Sequence, residues 1–164
     1  MPLFRPDIQK QFTQLHSSHG YNTFVDSPRP VILLADDFED ARDIYGSYLT
    51  LHGYEVVLAV NGRETVTEAS KRRPDMILLD LRMPGIGGIE ALRELRTNST
   101  LAGVPIIAFT AHALEDERVN ALRHGFDDVL SKPCLPDELL AFIGRTLGRV
   151  GRGAASGASE TADA

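Results

Sequence analysis

Four stretches of this 164-residue chain place oxygen- or ammonium-bearing side chains directly after short apolar runs. Asp36 and Asp37 follow VILLA (31–35), Asp80 follows MILL (76–79), Thr110 follows VPIIAF (104–109), and Lys132 follows DVLS (128–131). Continuous apolar runs of this length read as strands buried on both faces, and open α/β sheets bind ligands beyond the carboxyl ends of their strands. If the first and third strands are neighbours, three carboxylates converge and repel one another, which raises at least one pKa. A hard divalent cation relieves that repulsion. Mg²⁺ prefers oxygen ligands and typically takes one or two carboxylates plus phosphate oxygens. An acid cluster of this kind beside an ammonium and a hydroxyl suits phosphoryl transfer, which needs positioning and charge neutralisation more than covalent help. A carboxylate can act as the nucleophile and become an aspartyl phosphate. Lys132 then supplies a point charge for phosphoryl oxygens, and Thr110 a hydroxyl donor.

Each residue also has a plainer reading. An Asp-Asp pair after a strand often caps the next helix. Asp80, before Met83-Pro84-Gly85, suits a turn; Thr110 suits a cap for a helix starting near Ala111; Lys132 suits a solvated surface. Their joint placement at four strand ends favours the chemical reading.

The elements that must position them are legible as an alternation. A further apolar run, VVLAV, lies at 56–60. Between the runs, Ala41, Ile44, Tyr45, Tyr48 and Leu49 recur with helical period. Ile89, Leu92 and Leu95 do so in the third helical segment, and Leu139, Leu140, Ile143 and Leu147 in the last. The second and fourth segments, about 62–72 and 112–124, are more polar and so more exposed. Gly53 and Gly125 stand where helix C-caps belong. Five strand–helix alternations predict an α/β fold, a parallel sheet with helices on both faces.

Composition narrows the function. The net charge is −6, concentrated in residues 30–151 with 19 acidic and 13 basic side chains. Nucleic-acid binding usually shows an excess of Lys and Arg, so no nucleic-acid partner is expected. No apolar stretch approaches the ~20 residues of a membrane span, and no signal-peptide core opens the chain. The one cysteine, Cys134, cannot form an intramolecular disulfide, which fits a reducing cytoplasmic setting. Residues 1–29 carry Phe4, Ile8, Phe12 and Leu15 at helical spacing among prolines, leaving a floppy arm and a short docking helix both open. Residues 150–164, rich in Gly, Ala and Ser, are expected to be disordered.

The stretches VILLADDFED, DMILLDLRMPGIGGIEALRELR, VPIIAFTAHA and GFDDVLSKP, spread over residues 30–149, together resemble the receiver domain of two-component response regulators. The resemblance implies a flavodoxin-like (βα)5 three-layer sandwich with strand order 2-1-3-4-5. It makes Asp80 the phosphoacceptor, Asp37 a direct Mg²⁺ ligand, Asp36 an acid reaching the metal mainly through water, and the Arg82 carbonyl a third protein ligand. Lys132 and Thr110 match the residues that grip the phosphoryl group, and the Lys132–Pro133 peptide is expected to be cis. The donor it implies is a phosphohistidine on a sensor histidine kinase or a histidine phosphotransfer protein. Arg82 and His112 match positions that tune phosphorylation and hydrolysis rates, and Arg82 is placed to form an ion pair across the mouth.

Two departures stand out. Val129 occupies a position usually held by an aromatic residue that swings as Thr110 moves, and Cys134 stands where Phe is common. Val129 keeps open a receiver that binds partners without phosphorylation. The site also resembles dehalogenase-like phosphatases, but those carry a second Asp two residues after the nucleophile, where this chain has Arg82. No helix-turn-helix or catalytic motif follows residue 150. The expectation is therefore a stand-alone signalling receiver rather than an enzyme, with output through a protein contact on the helix 4–strand 5–helix 5 face or through phosphorelay.

Overall fold

In the computed structural model, which describes residues 28–111 and 114–156, five strands and five helices alternate. They are β1 (Val31–Ala35), α1 (Glu39–Leu51), β2 (Glu55–Ala59), α2 (Gly62–Arg72), β3 (Met76–Leu79), α3 (Gly88–Thr97), β4 (Ile106–Thr110), α4 (Glu115–His124), β5 (Asp128–Ser131) and α5 (Pro136–Ser156), with a 3₁₀ turn at Ser99–Leu101. All strand pairs are parallel and the sheet order is β2-β1-β3-β4-β5.

Side chains alternate across each strand, and the sheet sorts them into two cores. Leu33, Ile77, Leu79, Ile106 and Ala108 face α2, α3 and α4 and pack with Ala69, Leu92, Leu95 and Ala121. Ile32, Leu34, Met76, Leu78, Ile107 and Phe109 face α1 and α5 and pack with Tyr45, Leu49, Leu139 and Ile143. Uninterrupted apolar runs are needed because β1, β3 and β4 are covered on both sides.

Local chemistry sets several helix ends, with Gly53 and Gly125 at the expected C-caps. Asn61 caps α2 by accepting the Glu64 amide at 2.8 Å. Gly125 ends α4 with φ 107°, and Gly53 follows α1 with φ 91°, both left-handed.

Two boundaries differ from the expectation. α4 begins at Glu115 rather than near 112, so Thr110 does not cap it. α5 runs on to Ser156, seven residues into the stretch from 150 expected to be disordered. Helix propagation adds one backbone hydrogen bond per residue once a helix is nucleated, so the backbone continues helical beyond the apolar repeat of Leu139, Leu140, Ile143 and Leu147. The N-terminal arm (1–27), His112 and residues 157–164 lie outside the described residues. Among the described residues, no helix is long and apolar enough to cross a membrane.

Candidate functional site

The sheet order makes β1 and β3 neighbours, with Ala35 opposite Leu79. The ladder continues one step past the strands: the Asp80 amide donates to the Ala35 carbonyl at 2.9 Å, and the Asp36 amide to that of Ala59 at 3.1 Å. Asp36 and Asp80 therefore emerge side by side. Carboxylate oxygens of Asp36, Asp37 and Asp80 lie within 4.8 Å of one another, with Asp36 and Asp80 buried and Asp37 exposed.

Lys132 enters from β5. Its amide donates to the Thr110 carbonyl at 2.8 Å, which sets the two residues beside each other at the ends of β4 and β5. The Lys132–Pro133 peptide is cis. The ammonium donates to Asp80 Oδ2 at 2.9 Å and to Asp36 Oδ2, and it lies 5.3 Å from the centre of the Phe109 ring. Burial by itself would lower the Lys132 pKa, but the hydrogen bonds and charges of Asp36 and Asp80 outweigh it and hold it above its ordinary value. The lysine is thus a fixed cation. One cation among three carboxylates leaves a surplus of negative charge, and this donor set, all oxygen, fits a hard divalent ion.

The remaining lone pairs are partly spoken for. Asp36 Oδ1 accepts the Phe38 amide at 2.9 Å, so this residue does serve the start of α1 while its other oxygen faces Lys132. Asp80 Oδ1 accepts the Arg82 amide at 3.1 Å. Each carboxylate oxygen has about two lone pairs, so Asp80 keeps acceptor capacity towards the cleft. That cleft, about 500 Å³, is walled by Asp36, Asp37, Asp80, Arg82 and Lys132 on its polar side and by Phe38, Ile44 and Pro133 on its apolar side.

Gly88 sets how closely α3 approaches. A Cβ there would lie 2.3 Å from the Asp80 carbonyl oxygen. The glycine of the Asp80-x-x-Met83-Pro84-Gly85-x-x-Gly88 run is thus a close-packing requirement. Gly85 turns the same loop with φ 75°.

The other singled-out positions fall around this centre. Thr110 is fully buried at the end of β4. Val129 is buried in the core beneath α2–α4 together with Phe126. Cys134 is half-buried against the opposite core, where burial pushes its thiol up, and its carbonyl accepts the Tyr45 hydroxyl at 3.2 Å. Arg82 makes the ion pair expected of it, to Glu117 of α4 at 3.0 Å. Sequence spacing does not single out Glu117, nor Arg42, whose guanidinium donates to the Asp36 carbonyl at 2.8 Å. Both lie on half-buried helical positions of polar helix faces, where a charge in the sequence ordinarily signals nothing more than solvent contact.

Residues 32–144 match the family described as the response regulator receiver domain. The chain belongs to that family. The receiver is 38% identical over 122 residues to the phosphate regulon transcriptional regulatory protein PhoB of Pseudomonas aeruginosa, covering 74% of this chain and 53% of that protein. It is 39% identical over 140 residues to the transcriptional regulatory protein PrrA of Mycobacterium tuberculosis, covering 85% and 58%. It therefore spans a little over half the length of these relatives. Among solved structures, it resembles the receiver domain of a Pseudomonas aeruginosa PAO1 sensor histidine kinase with a magnesium ion coordinated in its active site cleft. There the TM-score is 0.69 at 37% identity, covering 74% of this chain and 99% of that one. Vibrio cholerae chemotaxis protein CheY4 gives a TM-score of 0.69 at 30% identity, covering 72% and 98%.

Proposed function

We propose that this receiver accepts a phosphoryl group onto Asp80 from a phosphohistidine of a sensor kinase or phosphotransfer protein, and signals by protein contact or relay. The observation that carries the reading is the Asp80 carboxylate itself, buried beside Asp36 and Asp37 and bonded to a lysine held in its charged form. An Asp80 oxygen attacks phosphorus; the phosphorus–nitrogen bond breaks, and its electron pair returns to the donor imidazole. Lys132 offers its charge, and Thr110 its hydroxyl, to the phosphoryl oxygens. Mg²⁺ would be held by Asp36, Asp37, Asp80 and the Arg82 carbonyl, and would supply positive charge to the same oxygens. The switch then acts through Thr110 on the α4–β5–α5 face. Val129 leaves that route without the usual swinging ring.

The test is labelling with a small phosphodonor. Wild type takes up Mg²⁺-dependent, base-labile label, and Asp80→Asn takes up none. Equal label in Asp80→Asn, or none in wild type, overturns the reading. Partner binding that is unchanged in Asp80→Ala would instead favour a phosphorylation-independent receiver, the alternative that Val129 supports.

A further inference from the structure

The Arg82–Glu117 pair ties the loop carrying the phosphoacceptor to the first turn of α4, a helix that buries little of its own surface. Its buried residue is Ala121, its N-cap Leu114 makes no side-chain cap bond, and Leu114 is 74% exposed. Besides the Arg82 contact, Arg118 holds this helix to β5 by donating to the Val129 carbonyl at 3.1 Å and to Asp128 at 3.3 Å.

The pair is also poised for exchange. Arg82 Nη2 lies 3.0 Å from Glu117 Oε1, but the arginine side chain is 63% exposed, so water and salt weaken the contact. The second carboxylate oxygen of Glu117, Oε2, is buried and has no hydrogen-bond partner among the described residues. A buried acceptor left unpaired is costly, so the tied arrangement is not a deep minimum. Meanwhile Arg82 already lines the cleft with Asp80, to which its own amide donates. An aspartyl phosphate at residue 80 carries nearly two negative charges on strong acceptor oxygens, where the unmodified carboxylate carried one. It would outcompete a singly charged carboxylate for a guanidinium whose fork matches phosphate geometry.

We propose that Glu117 is a positioning residue for Arg82. It holds the guanidinium on α4 while Asp80 is unmodified and yields it to the phosphoryl oxygens once they arrive, so that phosphorylation and release of the first turn of α4 are one event. This rests on Asp80 being the phosphoacceptor. It gives the site a route to α4 that needs no aromatic ring at residue 129. Because coupling is reciprocal, whatever frees Arg82 from Glu117 must also strengthen binding of the phosphoryl group.

The experiment measures the affinity of beryllium fluoride in the presence of Mg²⁺, and amide hydrogen exchange over residues 115–119, with and without it. In wild type, beryllium fluoride speeds exchange at those amides. In Glu117→Gln they exchange fast from the start, and beryllium fluoride binds roughly two- to fivefold tighter, the range set by an exposed ion pair, while affinity for Mg²⁺ alone is unchanged. In an Arg82→Ala background the Glu117→Gln effect vanishes. The reversed pair Arg82→Glu/Glu117→Arg restores slow exchange in α4 and binds beryllium fluoride more weakly than wild type. A Glu117→Gln protein with wild-type affinity, or one whose tighter binding persists without Arg82, overturns the proposal. Wild type that fails to bind beryllium fluoride at all overturns the phosphoacceptor reading instead.

Discussion

Asp37 differs from its two neighbours in being exposed, and that difference separates two of its effects. Without a divalent cation it adds negative charge to a cluster in which Lys132 alone is shared between Asp36 and Asp80. Replacing it with Asn relieves that repulsion at little desolvation cost. Asp37→Asn is therefore expected to raise the stability of the Mg²⁺-free protein by about 0.5–1 kcal/mol, read as an increase in Tm. It should at the same time weaken Mg²⁺ binding by at least about tenfold, the scale on which lost ligation support acts, read by calorimetric titration. The two signs together distinguish a ligand from an ordinary surface acid, which would shift neither quantity appreciably.

At the scale of elements, the active centre depends on how close α3 comes to the end of β3. The Gly88 position leaves no space for a Cβ against the Asp80 carbonyl. Gly88→Ala must push the N-terminus of α3 away or displace Asp80, since the opposing atom is backbone and cannot rotate aside. The expected cost is about 1–3 kcal/mol, as for other overpacked sites, seen as a lower urea midpoint with an unchanged slope. Phosphorylation should slow as well, because the backbone that moves carries Asp80, the proposed nucleophile. Gly85 and Gly87 belong to the same loop without such a contact: a Cβ at Gly87 would stay 3.4 Å from the nearest backbone oxygen. Gly87→Ala is the matched control, and it should cost less.

For the whole molecule, the acid cluster predicts a folded state that gains stability from a bound divalent cation. Three converging carboxylates with one half-buried lysine leave excess negative charge at the sheet's carboxyl edge. A cation bound only by the folded state adds RT ln(1 + [L]/Kd), about 2.7 kcal/mol at a hundred times Kd. For a chain of this size each kcal/mol moves Tm by roughly 2–4 °C. Saturating Mg²⁺ should thus raise Tm by roughly 5–10 °C relative to protein in EDTA, followed by scanning calorimetry. The shift should disappear in Asp36→Asn/Asp37→Asn. A shift that survives in the double variant would place the cation elsewhere.

The strands, the parallel sheet and the five residues of the centre were legible in the sequence because their signals are local. Apolar runs mark buried strands, polar residues mark where those runs end, and Gly53, Gly125 and Gly88 stand where backbone geometry admits no side chain cheaply. Where α4 begins and α5 ends was not legible, since both limits depend on packing against the sheet and on propagation past it rather than on any residue's own preference. Nor did the sequence name the partner of Arg82. Glu117 lies 35 residues further along the chain, and only the fold, which sets the first turn of α4 against the loop after β3, decides which of many acids that arginine meets.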